Sequence, residues 1–345
     1  MKRVDLLIPG LFGPIAIPSD DLTGFPPLER LLGRADRLSV SGADPVAALF
    51  ERFAIATDPD KDPPSAPFSR LGDGADTDLT AFWMHADPVH LRPDRDRLML
   101  FDSRNLGITH EEADALVELF NGHFGADGLW LEAPDPGRWY LQVEEPPRIR
   151  THSLSAAVGR SIDRLLPKGP EAARWIAWLN EVQMLFHDSE VNRRREQAGR
   201  PMINGIWPWG GGQLPESVPG AQLDAVYAEH PLAIGLARAA KVPVRPLTED
   251  AQELVGSRSQ ATVLLFWDRL WPAVLDADFS TWVQELERLQ TLLARLEREL
   301  RRGRLEALDI LPCNGTGFHA TRRSLRRFWR RRLALGAQLQ VRDTD

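Results

Sequence analysis

The sequence predicts an α/β protein built on a largely parallel sheet. Three observations carry that expectation. Short, nearly continuous apolar runs recur along the chain, as strands covered on both faces require. Amphipathic helical patterns alternate with them, which favours parallel pairing through crossovers. Asp, Thr, Pro and Gly mark the points where those helices start and stop.

The expected strands, in order, are VDLLIP (4–9), RLMLFD (97–102), LWLEA (129–133), RWYLQVE (138–144), TVLLFW (262–267) and ALDILP (307–312). A first helix, DPVAALFERFAIA (44–56), opens on an Asp cap. In ITHEEADALVELFNGHF (108–124), Thr109 precedes Glu111 and Glu112, an acidic first turn that suits the helix dipole. One long helix is expected over 170–199, from Pro170 to the stop at Gly199. DFSTWVQELERLQTLLARLEREL (278–300) is strongly amphipathic, and ATRRSLRRFWRRRLAL (320–335) predicts a basic helix near the end. The Pro-, Gly- and Asp-rich stretch 58–78 reads as a loop or linker, and the prolines of HADPVHLRPDRD (85–96) also indicate a loop. The Pro-Asp-Pro-Gly turn between LWLEA and RWYLQVE predicts a hairpin. The expected organisation is a core from both chain ends, 1–80 and 166–345, with a smaller inserted α+β subdomain at 81–165.

Composition narrows the function classes. The chain of 345 residues is 43% hydrophobic with a net charge of −7, which argues against a protein that coats nucleic acid with its whole surface. The single cysteine, Cys313, excludes an internal disulfide and a cysteine-based zinc site, and fits a reducing compartment. At that place Cys313 is either a reactive thiol or a small buried filler. The N-terminal run imitates a leader, but Asp5 and the prolines interrupt it. No run approaches the ~18 apolar residues of a membrane span. The expected location is the cytoplasm, with no membrane partner. No Gly-x-Ser-x-Gly elbow, dinucleotide fingerprint or Walker loop is present, and no histidine pair has the i, i+4 spacing of a helical metal motif.

Three segments carry a resemblance. The first is FDSRNLGITHEEADALVELF. The second runs from Val191-Asn192 through Arg193, Arg195, Gly199-x-Pro201 and Asn204 to Ile206-Trp207 and Trp209-Gly210. The third is the acidic helix after TVLLFW. In this order they resemble the archaeal-type cofactor-independent phosphoglycerate mutases of the alkaline-phosphatase superfamily. They resemble more closely the bacterial mutase-like proteins that include the RpfE-type regulatory proteins. The resemblance implies an alkaline-phosphatase-like core with Asn204–Gly212 beside the cleft. Arg193 and Arg195 would hold an anion there, Trp207 and Trp209 would wall it, and Asn192, Gly210 and Asp268 would complete it. Taken by themselves, the three glycines 210–212 either bring backbone N–H groups to a phosphate or only permit a tight turn.

The family's chemistry, by the same resemblance, is phosphoryl transfer through a serine with two divalent cations held by Asp and His at strand ends. The matching positions here are Pro9-Gly10 after the first strand, Ser39 and Ser41 near the first helix, Trp267-Asp268, and Cys313-Asn314. Only Asp268 is a ligand of the family's kind. The expectation is therefore a degenerate cleft filled by indoles, with no catalytic residue, no metal and no cofactor, acting by binding and in regulation. A small anionic ligand or a protein would be its partner. Two alternatives stay open: an enzyme of altered mechanism on phosphate esters or phosphosugar acids, and a nucleic-acid-associated factor using Arg322, Arg323, Arg326, Arg327 and Arg330.

Overall fold

The computed structural model describes residues 2–13, 24–58, 61–95, 97–219, 222–256 and 261–336. Its strands are β1 (Lys2–Leu7), β2 (Asp36–Ser39), β3 (Phe82–Asp94), β4 (Arg97–Asp102), β5 (Leu129–Asp135), β6 (Arg138–Val143), β7 (Gly205–Gly212), β8 (Ala225–Tyr227), β9 (Val244–Arg245), β10 (Ala261–Phe266), β11 (Ala307–Leu311) and β12 (Thr316–Thr321). They form a seven-stranded sheet ordered β2-β12-β11-β1-β10-β8-β9 and a second sheet ordered β4-β3-β6-β5, with β7 paired to β3. The chain divides into two compact units, residues 57–216 and the two ends that flank them.

In the unit made from the ends, β1 runs parallel between β10 and β11, with Val4 opposite both Val263 and Leu308. On one face Val4, Leu6, Ile8, Val263, Leu265, Leu308 and Ile310 join a core with the helices Pro26–Arg34 and Phe279–Arg302. The second helix starts where Asp278 accepts from the Thr281 amide at 3.1 Å and stops at Gly303, whose φ of 74° few other residues tolerate. Leu286, Leu289, Leu293, Leu296 and Leu300 recur at alternating steps of three and four, and all are buried. Each such leucine stabilises by about 1.5–3 kcal/mol through burial. The opposite face carries charge. Asp5, Asp309 and His319 align across β1, β11 and β12; Arg3 bridges the two carboxylates, Arg52 adds a bond to Asp5 at 3.3 Å, and His319 pairs with Asp309. Buried carboxylates persist here because guanidinium groups satisfy them.

The other unit is antiparallel. β5 and β6 form the expected hairpin, and β3 pairs with β6 over 82–85, with β4 over 89–94 and with β7 on its other side. Pro88 falls in the hand-over between β6 and β4, so the strand tolerates a proline that would otherwise break a ladder. The 85–96 loop expectation is corrected on this ground: 85–94 is strand. The helix His110–Phe124 carries a full capping box between Thr109 and Glu112. The division at 57 and 216, wider than 81–165, follows from packing. β7 completes the sheet, and Trp175, Val182, Phe186 and Ile206 share one core with Leu116, Phe120 and Trp139.

Three further expectations are corrected. The long helix over 170–199 is two, Ala172–His187 and Glu190–Gln197, because Ser189 caps a fresh start by accepting from Asn192 N at 3.2 Å. The 58–78 linker contains the helix Ser65–Gly72. The basic helix over 320–335 does not form. Residues through Thr321 are drawn into β12 opposite β11, and only a three-residue 3-10 turn, Ser324–Arg326, follows. The arginine pairs imitate a helical period, but strand pairing takes the first residues of the run.

Leu296 lies fully buried in the helix stripe. Leu296→Ala is expected to cost about 2–5 kcal/mol in urea unfolding, whereas Leu79→Ala at an exposed site should stay within about 0.5 kcal/mol.

Candidate functional site

The residues of the resembling stretch sit together around β7, and most of them hold the fold. The Asn192 amide donates to the Phe186 and Ile203 carbonyls and accepts from Ile203 N, all at 2.8 Å. The Asn204 side chain brackets Leu91 like an added strand residue, accepting from its N–H at 2.7 Å and donating to its carbonyl at 2.9 Å. Trp207 is buried and donates to His152 O at 2.8 Å. Trp209 donates to Asp87 Oδ2 at 2.7 Å and stacks on His85 with ring centres 4.1 Å apart. Gly210 has φ +62°, and a Cβ there would collide with Ser65 Oγ, so glycine is required for close packing.

Arg195 is the clearest correction. Its side chain has no exposure, and four of its five N–H groups meet protein acceptors. Nε and Nη2 fork onto Glu112 at 3.0 and 2.7 Å, and Nη1 donates to Leu106 O and Pro201 O at 3.1 and 2.9 Å. Burial works to raise the Glu112 carboxyl, but the Arg195 hydrogen bond, the Thr109 amide and the nearby guanidinium groups outweigh it and hold the carboxyl low. Arg193 faces solvent and pairs with Glu190 at 2.9 Å. The two arginines do not form a pair that could grip an anion together. Asp268 belongs to the other unit.

Sequence reasoning missed a buried polar cluster beneath β7. Ser65, His85, Asp87 and Tyr140 are each 5% exposed or less. The Tyr140 hydroxyl donates to Asp73 at 2.7 Å, which Arg138 also holds at 2.8 Å. Desolvation, opposed in part by the Trp209 hydrogen bond, pushes the Asp87 carboxyl up to about 7. The available signal was period two: Trp83, His85, Asp87 and Val89 share one face of a strand. So well covered, these groups are not exposed to a reagent from solvent, and their polarity serves to position β3 and β7.

The second locus is the carboxyl edge of the parallel sheet, where open α/β folds place their ligand sites. Leu7 pairs with Phe266 and Leu311, and Leu265 with Tyr227, so Gly10, Trp267-Asp268, Pro312-Cys313 and Glu229-His230 follow strands ending on this edge. A Cβ on Gly10 would approach Val274 Cγ2 to 3.0 Å, and the Gly10 carbonyl accepts from Trp282 Nε1 at 2.9 Å. Trp267 has no exposure, and its indole N–H finds no hydrogen-bond partner among the described residues. Burial pushes the Cys313 thiol up to about 12, so it remains neutral. Burial also raises the Asp268 carboxyl, with the His230 charge opposing. Among the described residues, no three of His, Cys, Asp and Glu stand together as a metal cage would need.

On the expected basic surface, Arg327 and Arg330 are tied to the Asp36 region, Arg330 through Ala35 O at 3.0 Å, while Arg322, Arg323 and Arg326 are exposed.

No family model matches this sequence. Over 183 residues, 52% of this chain, it is 28% identical to the "Probable 2,3-bisphosphoglycerate-independent phosphoglycerate mutase" of Geobacter sulfurreducens, spanning 42% of that relative. The structure is similar to the PH0037 protein from Pyrococcus horikoshii, with a TM-score of 0.58 and 17% identity over 93% of this chain and 87% of that one. A looser superposition, with a TM-score of 0.45 and 16% identity, covers 93% of this chain and 90% of a cofactor-independent phosphoglycerate mutase from Thermoplasma acidophilum. The sequence likeness, over about half of this chain, supports homology to the Geobacter phosphoglycerate mutase, and the fold is the α/β fold of the PH0037 protein, with a parallel-rich sheet flanked by helices.

Two outcomes follow from the buried charges. Above the unfolded carboxylate range, near pH 4, an unfolded Asp87 ionises while the folded one stays protonated up to about 7. Its contribution is therefore complete at low pH and lost as pH rises through 7. Asp87→Asn should remove a pH-dependent loss of ~3–5 kcal/mol between pH 4 and 8, checked by urea unfolding across that range. Arg195→Ala should cost about 1–3 kcal/mol in urea unfolding, because Glu112 loses its buried fork and Pro201 O its donor while Arg200 and the Thr109 amide still hold Glu112. Arg195→Lys should restore little, and Arg193→Ala should be nearly neutral.

Proposed function

We propose that the protein is a catalytically silent relative of the cofactor-independent phosphoglycerate mutases that acts by binding, as a bacterial cytoplasmic regulator of the RpfE-type kind. The observation that carries this reading is the donor set at the carboxyl edge. Two divalent cations in a phosphotransferase require about six carboxylate and imidazole ligands. Here the strand ends supply a glycine at φ +83° whose Cβ would crowd Val274, a buried indole, a neutral thiol, and Asp268 with the nearby His230. That set does not fit the cations, so no transfer step is derived through them. Without them a serine lacks activation and a dianionic group lacks neutralisation.

The Trp267 side chain, wholly buried with its indole N–H, fills the end of β10 with packed apolar surface where a cation site would need ligands, which supports a silent cleft. The altered-mechanism enzyme has less support, because Arg195 is committed to Glu112. The bacterial and cytoplasmic parts of the reading draw on the Geobacter relative and on the single cysteine. No helix among the described residues is long and apolar enough to cross a membrane.

The test is metal analysis of the purified chain, with mutase and phosphatase assays in Mg²⁺ and Mn²⁺. The expected result is no stoichiometric metal and no turnover, with an upward shift of the melting temperature by phosphoglycerate. Stoichiometric Mn or Zn accompanied by turnover would overturn the reading.

A further inference from the structure

The most exposed large apolar side chains of the described residues are Phe328 at 81% and Trp329 at 68%. They lie in a run of seven arginines, Arg322 to Arg332, and no acidic residue occurs between Asp309 and Asp343. The run is not loose. Leu325 and Leu335 are buried on either side, Arg327 pairs with Asp36, and Leu333 N donates to Glu29 O at 3.0 Å. Arg34 Nη1 donates to Leu325 O at 2.9 Å. The aromatic pair is thus held outward on an anchored arch. Arg322, Arg323, Arg326, Arg331 and Arg332 flank it in the sequence, exposed and without an ion pair to any described residue.

We propose that this arch is a docking surface for an anionic lipid membrane, with Phe328 and Trp329 entering the headgroup boundary and the arginines engaging lipid phosphates. Charge complementarity selects the occupant: a dense positive patch on a chain of net charge −7 needs an extended anionic partner. A second copy docking patch to patch would bring like charges together. A single-stranded nucleic acid would offer phosphates, but successive bases stack in parallel and the two rings lie at 84° to each other, so neighbouring bases cannot both stack on them. A lipid interface sets no such angular demand, and aromatic side chains among basic residues suit it. The expected absence of a membrane partner rested on spanning segments, which a surface contact does not need. This inference is independent of whether the mutase-like cleft turns over substrate.

Co-sedimentation of the full chain with vesicles tests it. Binding is expected to phosphatidylcholine mixed with phosphatidylglycerol and not to phosphatidylcholine alone, falling as salt rises. Phe328→Ser with Trp329→Ser, or Arg331→Glu with Arg332→Glu, should each weaken it about tenfold or more. All four side chains are exposed, so an unchanged unfolding midpoint is the control for folding. Failure to bind the anionic vesicles, equal binding by wild type and both variants, or capture by a single-stranded oligonucleotide but not by vesicles would each overturn the proposal.

Discussion

Strand β1 lies between two strands that come from the far end of the sequence, and this pairing is the constraint on which the unit formed by the chain ends depends. A parallel strand cannot return by a hairpin, so each neighbour must arrive through a crossover. Both faces of β1 are then covered. One is sealed by the leucine stripe of Phe279–Arg302, and the other holds the Asp5–Asp309–His319 row neutralised by Arg3 and Arg52. The carboxyl edge where a ligand site is expected follows from the same arrangement.

In the second unit an ion pair does comparable work. Glu112 caps its own helix through Thr109 and receives the fork of Arg195, which also ties down the carbonyls of Leu106 and Pro201. The segments that carried the family resemblance, the Thr-x-x-Glu helix start and the arginine-rich stretch before β7, are the two ends of this one contact. Their co-occurrence therefore marks a shared fold. It does not by itself mark a shared reaction.

The strands with continuous apolar composition were legible in sequence because burial on both faces leaves little choice of residue. Helix caps at Asp44 and Thr109 were legible for the same local reason, each side chain closing on an amide three residues ahead. β3 was not, since Pro88 is tolerated only where the strand changes partners, and that hand-over is a property of the assembled sheet. The arginine run misled in the opposite direction, its spacing suiting a helix that pairing with β11 forbids at its start.

By itself the sequence determined the α/β class, the parallel character of the main strands and the scarcity of ligand residues at their ends, because each depends on composition or near-neighbour spacing. The tertiary structure alone decided which polar groups were available. Burial turned Arg195 from a candidate anion holder into the partner of Glu112, and left Phe328 and Trp329 facing solvent. Solvation and pairing are set by what distant segments bring alongside a residue, and no local pattern carries that information.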